Sequence, residues 1–285
     1  MRIPGLIPSL SLVGALALVG MGCGASSPAT GGTGGSGAGG TSGANCITVA
    51  DDLIADFMTD NGIHPADGRS GGFYVYGDPL GAFDPPKMGD NPYPIDTVNG
   101  NPNCSNAGSL RLKAAGFKVW GSAAGTDFKP KVGAFKQPYD ATKYKGVSFW
   151  AKAAAPVMKV QVSFPDIYTD GAANPTALDP TIDPCVYTPG STSNCSPYLV
   201  KFADPQFPLY MSMQIDTTWK RFDILFADTK QDTGNAGYHK PGFDLLDVAH
   251  LTAMAIQVNA IYNPDNTVTA NDYELWIDDV NFIKK

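Results

Sequence analysis

The amino-acid sequence predicts an all-β chain folded as a two-sheet antiparallel β-sandwich with long loops and little helix. Three observations lead there. Roughly nine segments rich in Val, Ile, Phe, Tyr and Trp alternate apolar and polar positions with the period of two that marks a half-buried strand. Only the short run Phe243–Ala249 reads as helical. The acids are lopsided, with 26 aspartates against the single glutamate Glu274, and Asp favours turns and loops where Glu favours helices.

The chain opens with Met1-Arg2, an apolar run to Gly22, and Cys23. A short charged start, an apolar core and small residues before a cysteine read as a lipoprotein signal peptide over residues 1–22, with Cys23 as the lipidated residue. An ordinary secretory signal cleaved nearby is the alternative. Several acyl chains on one cysteine exceed the two-signal threshold for stable anchoring. The expectation is an exported chain held by lipid to a bacterial envelope, at the outer membrane or the cell surface, its contact with the membrane made through that anchor alone. Residues 23–44 hold no side chain able to nucleate a core, so they form a Gly/Ser/Thr-rich tether with a reach of about 25 Å. One β-rich domain fills residues 45–285.

Within that domain Leu53–Met58 is the first strand, ended by the turn Thr59–Gly62, and Phe73–Tyr76 is the second. A Pro/Asn/Asp/Gly-rich excursion runs from Ala82 to Ser105. Ser109–Ala114 alternates as a strand, Phe117–Trp120 extends it, and Gly121–Gly125 lays small residues beside Trp120. Tyr144–Ala151 and Met158–Phe164 follow, then a second excursion from Pro165 to Pro197. Tyr210–Ile215, Trp219–Leu225 and Met254–Val258 lead to the closing strand Tyr273–Ile283, whose alternation puts Trp276, Asp278, Val280 and Phe282 on one face. That register sets a carboxylate among core residues, where it needs a partner, a metal or water.

Four cysteines remain in the domain. An even number in an exported chain implies two disulfides with three possible connectivities. Cys185 and Cys195 share one loop and form the favoured pair, leaving Cys46 with Cys104. A zinc site is the other use, but no CxxC or nearby histidine pair accompanies them. The formal charge of −7 and the lack of a Lys/Arg run exclude a nucleic-acid surface.

Four segments in order carry a resemblance. They are Gly108-Ser109-Leu110-Arg111-Leu112 running to Trp120-Gly121-Ser122, Tyr144–Ala151, Trp219-Lys220-Arg221-Phe222, and Leu275-Trp276-Ile277-Asp278-Asp279-Val280. Together they resemble the galactose-binding-like jelly-roll domains used as carbohydrate-binding modules. The resemblance implies a jelly-roll sandwich over most of residues 46–285 and a carbohydrate or polysaccharide partner. It also implies a structural calcium held by Asp278 with Asp56 or Asp60. An inward carboxylate suits a hard cation that takes oxygen ligands, and an amide-capping or solvated Asp278 is the plainer account.

Sugar recognition by such a module uses aromatic faces and polar groups. Trp120, followed by small residues that admit a ligand, is the first candidate, and Tyr168 with Asp166 and Asp170 the second. Tyr74, Tyr76, Tyr187 and Tyr198 also lie near or inside loops. Trp150, Trp219 and Trp276 sit in strands, where a core role is the expectation. Glycosidases use two carboxylates, and Glu274 stands alone on a strand. His64, His239 and His250 are far apart in sequence, and neither GxSxG nor HExxH occurs. The functional expectation is a non-catalytic, membrane-tethered carbohydrate-binding module. A structural or protein-interaction envelope lipoprotein is the alternative, and an Asp-based polysaccharide-degrading enzyme the third reading.

Overall fold

A computed structural model of the chain describes residues 46, 52–84, 93–104, 108–133, 135–167, 169–170, 172–173, 209–230 and 246–285. Cys23, Tyr168, Cys185 and Cys195 lie outside these residues, as do the tether and Phe243–Leu245. In chain order the strands are β1 (Leu53–Ala55), β2 (Tyr74–Gly77), β3 (Ala82–Phe83), β4 (Leu110–Ala115), β5 (Gly121–Asp127), β6 (Tyr144–Ala153) and β7 (Val157–Phe164). They continue with β8 (Leu209–Ile215), β9 (Lys220–Leu225), β10 (Ala253–Asn259), β11 (Ile261–Tyr262), β12 (Val268–Thr269) and β13 (Tyr273–Lys284).

One sheet has the order β3-β4-β13-β6-β9 with β1 added on β13, and the facing sheet the order β2-β5-β10-β7-β8. The strand pairs within both sheets are antiparallel. The chain passes between sheets at β4 to β5, β5 to β6 and β6 to β7, so sequence neighbours lie in opposite layers, as in a jelly roll. β11 and β12 make a small separate hairpin.

The second sheet shows how period-two patterning builds the core. Val75, Ala124, Ile256, Val162 and Met211 pair in one row across its five strands and pack inward. Their sequence neighbours therefore point outward. From the first sheet come Leu110, Leu112, Val147, Phe149, Leu275 and Ile277. Phe282 anchors one end, its ring stacked 4.3 Å from that of Tyr144 and 5.6 Å from that of Tyr139.

Several expectations change. Phe117–Trp120 does not extend β4. Gly116 turns the chain at φ +79°, and the small run read as mere company for Trp120 is the interior strand β5. Gly121 opens β5 at φ +120°, where a Cβ would lie 2.1 Å from the Val258 carbonyl oxygen. Where the helical run is expected, the described residues from Leu246 to His250 hold only the 3-10 turn Val248–His250, capped by Asp247, whose carboxylate accepts from the Ala249 amide. The closing strand does not keep one register. A bulge between Asp278 and Asn281, with Asp279 at φ 48°, splits the alternation. Leu275, Ile277, Val280 and Phe282 then all face the core, while Trp276 and Asp278 face away from it. Trp150 and Trp276 are buried, and Trp219 half-buried, yet none belongs to the inter-sheet core.

The Cys46–Cys104 disulfide is present, closing a separation of 58 residues. It lies against the carboxylate of Asp279.

Candidate functional site: the outward face of the second sheet

Two rows of outward side chains cross the sheet β2-β5-β10-β7-β8. The first is Tyr74, Gly125, Ala255, Ser163 and Tyr210. The second is Tyr76, Ala123, Gln257, Gln161 and Ser212. With strands ~4.8 Å apart, each row spans roughly 19 Å. Gly125, Ala255 and Ser163 form a floor of small residues between Tyr74 at one edge and Tyr210 at the other. A Cβ on Gly125 would stand 2.9 Å from the Met254 carbonyl oxygen and in van der Waals contact with the Tyr76 ring at 3.5 Å, so the floor has no room for a larger residue there. Gln161, Ser212, Gln214, Lys159 and Asn259 line a depression of about 490 Å³ at the far end of the second row.

The aromatic wall is built from β2 and the turn before β5. The Tyr74 and Tyr76 ring centroids are 5.8 Å apart, and those of Tyr76 and Trp120 6.0 Å apart. Tyr76 is 37% exposed and Trp120 half-buried, so part of each side chain is open to solvent. Burial, reinforced by the carboxylates of Asp170 and Asp127 against the opposing pull of Lys136, pushes the Tyr76 phenol up to about 12. It stays a neutral donor at physiological pH.

Beside Tyr74 lies a charged wall. The Tyr74 hydroxyl donates to Asp127 (2.9 Å), Lys136 bridges Asp127 (2.9 Å) and Asp170 (3.1 Å), and the Thr252 hydroxyl donates to Asp170 (2.7 Å). Burial acts to discharge Lys136, but the two carboxylates outweigh it and raise its pKa. Burial and the Asp127 charge likewise raise that of the Tyr74 phenol.

Trp120 is positioned by Asp78. This residue is fully buried, and its carboxylate accepts from the amides of Leu80 (3.0 Å), Val119 (2.8 Å), Gly121 (3.2 Å) and Trp120 (3.3 Å). Burial alone would raise its pKa, yet the converging amides hold it below the ordinary 3.8.

Of the residues expected at a sugar site, Trp120 stands in the aromatic wall and Asp170 in the charged wall. Asp166 is elsewhere in role. It is 2% exposed, and its carboxylate accepts from the amide and hydroxyl of Thr169 and from the Asp247 amide, which makes it a loop staple. Asp56, Asp60 and Asp278 form no group of three among the described residues. Asp56 and Asp60 each accept from an amide two residues ahead in a local turn, while Asp278 is fully buried and accepts from the Asp279 amide. Among the described residues, the group of metal-type side chains that does converge is Cys46, Cys104 and Asp279, whose two thiols are spent in the disulfide.

Sequence reasoning missed Lys136, Asp127, Gln161, Gln257 and Tyr210 at this face. The available signal was alternation. Val75 and Val162 are core positions, so Tyr74, Tyr76, Gln161 and Ser163 had to share the other side.

No family model matches the sequence, and no curated protein does. Among solved structures, the chain is similar to the family 11 carbohydrate-binding module of the cellulosomal cellulase Lic26A-Cel5E of Clostridium thermocellum. The identity is 12%, the TM-score 0.41, and the match covers 81% of this chain and 96% of that one. A family 30 carbohydrate-binding module of the cellulosomal cellulase Cel9D-Cel44B of Clostridium thermocellum is 12% identical at TM-score 0.43, covering 82% and 96%. An agarase, AgWH50C, matches at 8% identity and TM-score 0.39 over 82% of this chain and 26% of its own length. No residue role passes to this chain from similarities at that level.

Proposed function

We propose that the chain is a non-catalytic carbohydrate-binding module, held to a bacterial envelope through Cys23 and presenting the outward face of the second sheet to a glycan. One observation carries the reading: a floor of Gly125, Ala255 and Ser163 bounded by the Tyr74–Tyr76–Trp120 wall. A pyranose has C–H faces that pack on aromatic rings, and hydroxyls that need donors and acceptors at its edge. The floor leaves depth for a ring, and Gln161 and Gln257 stand beside it with amides that can both donate and accept. The Gln257 amide also donates to Asn259, which fixes its orientation.

A glycan array with the purified chain tests this. Binding to a polysaccharide class should fall about tenfold or more in Tyr76→Ala and Trp120→Ala, the loss expected when a stacking ring worth ~1.4 kcal/mol is removed. No signal from protein shown by circular dichroism to be folded would end the carbohydrate reading.

A further inference from the structure

We propose that Leu80, Val119 and Tyr262 form a second contact surface, which docks the chain against the face of an insoluble polysaccharide. The proposal rests on the sugar-binding reading of the adjacent cleft.

Leu80 is 63% exposed, Val119 48% and Tyr262 57%. They come from three separate segments: the turn after β2, the turn before β5, and the β11–β12 hairpin. Two polar devices bring them to one place. The buried Asp78 carboxylate takes the amides of both Leu80 and Val119, and the Tyr262 hydroxyl donates to the Val119 carbonyl. The hairpin is also tied down where the Ala260 amide donates to the Trp120 carbonyl (3.1 Å). Asn263 braces it internally through Thr267 and Thr269.

Such tethering holds apolar side chains outward rather than letting them fold under. With Tyr76, this end of the sandwich accounts for four of the eight exposed large hydrophobic residues among those described, a clustering that scattered surface apolar residues do not show.

The occupant follows from continuity and chemistry. The patch begins at Val119, next to Trp120, so it prolongs the aromatic wall beyond the end of the cleft. A single chain lying in the cleft across the strands would not reach it, whereas a solid surface would meet cleft and patch together. The Tyr262 hydroxyl is already engaged with Val119, so the residue offers its ring, and Leu80 and Val119 offer only hydrocarbon. That complements the C–H-rich face of packed sugar chains. The net charge of −7 opposes an anionic lipid surface.

The test compares solid and soluble forms of the same sugars. Purified protein is co-sedimented with microcrystalline cellulose, insoluble chitin and curdlan particles, and titrated in parallel with oligosaccharides of those polymers. Leu80→Asp and Tyr262→Ser should each reduce retention on the bound particle about tenfold, the scale of one lost apolar contact, and leave oligosaccharide affinity unchanged. Tyr262→Phe keeps the ring but loses the tie to Val119, so its retention should fall between those of wild type and Tyr262→Ser. Val119→Ser replaces any variant that melts below the assay temperature.

Unchanged retention in Leu80→Asp and Tyr262→Ser overturns the proposal. So does sedimentation showing a wild-type dimer that these variants convert to monomer, since the patch would then join two copies. Oligosaccharide binding without particle binding removes the patch and leaves the cleft. Failure of the wild type with both forms removes the cleft as well.

Discussion

The two outward faces of the sandwich contain similar ingredients and use them differently. On the first sheet Lys152 lies 4.9 Å from the Trp276 ring and 5.4 Å from the Trp219 ring, and Arg111 stands 6.0 Å from Trp276 while ion-paired to Glu274. The Trp276 indole donates to Asp96 at 2.7 Å, and Lys152 to Asn99. Aromatic faces there are covered by the chain's own cations. On the second sheet the rings of Tyr74, Tyr76 and Trp120 stand tilted at 39° and 41° to one another beside small residues, with no cation over them among the described residues. An aromatic residue becomes a recognition surface when its face is unclaimed, and composition cannot report that.

Trp276→Ala should sharpen the contrast most. Removing a 7% exposed indole should cost about 3–5 kcal/mol of stability, read as a lower melting temperature, while glycan binding persists below the melt. Binding lost in the folded variant would mean that the first face also takes part in recognition.

Replacing both Cys46 and Cys104 with Ser removes a closure of 58 residues and should cost about 4 kcal/mol in thermal or denaturant unfolding. This too should spare glycan affinity, because the disulfide lies on the first face.

Asp78→Asn acts on the second face from below. It weakens charge-assisted bonds to four amides, at about 2–3 kcal/mol. Its pH dependence gives a separate check. A carboxylate whose folded pKa lies below 3.8 contributes stability that is complete above pH 3.8 and is lost as pH falls through the folded value. Wild type should therefore lose stability below about pH 3.8 more steeply than Asp78→Asn. Parallel acid unfolding curves would show that the amides do not depend on the charge.

The smallest effect is expected from Gln161→Ala. Removing one amide beside the floor should weaken oligosaccharide binding about fivefold, near 1 kcal/mol, without changing the melt. No change in affinity would move the ligand toward the Tyr74 and Asp170 end.

Much of the architecture was legible because strand alternation is a local property. Residues such as Val147, Phe149, Val160 and Val162 declare their face by sequence spacing alone, and the all-β sandwich follows from many such segments. β5 was not legible, since Gly121, Ala123, Ala124 and Gly125 lack the branched and aromatic side chains that mark a strand. At the two glycines the neighbouring strand β10 leaves no room: a Cβ on Gly125 would lie 2.9 Å from the Met254 carbonyl oxygen and one on Gly121 2.1 Å from that of Val258. The single face read for Trp276, Asp278, Val280 and Phe282 failed because a bulge is a property of pairing with β6 and β1, not of the strand itself.

The candidate site divides in the same way. Trp120 beside small residues was visible as a local pattern, and Asp170 as a polar loop residue. Lys136, Asp127 and Tyr74 meet only when β2, β5 and two loops converge, and nothing local to any of them announces the ion pairs. By itself the sequence determined which side of a regularly alternating strand turns inward, because the period of two is written residue by residue. The tertiary structure alone decided which aromatic faces are covered by cations and which remain open, because that depends on partners supplied from distant segments.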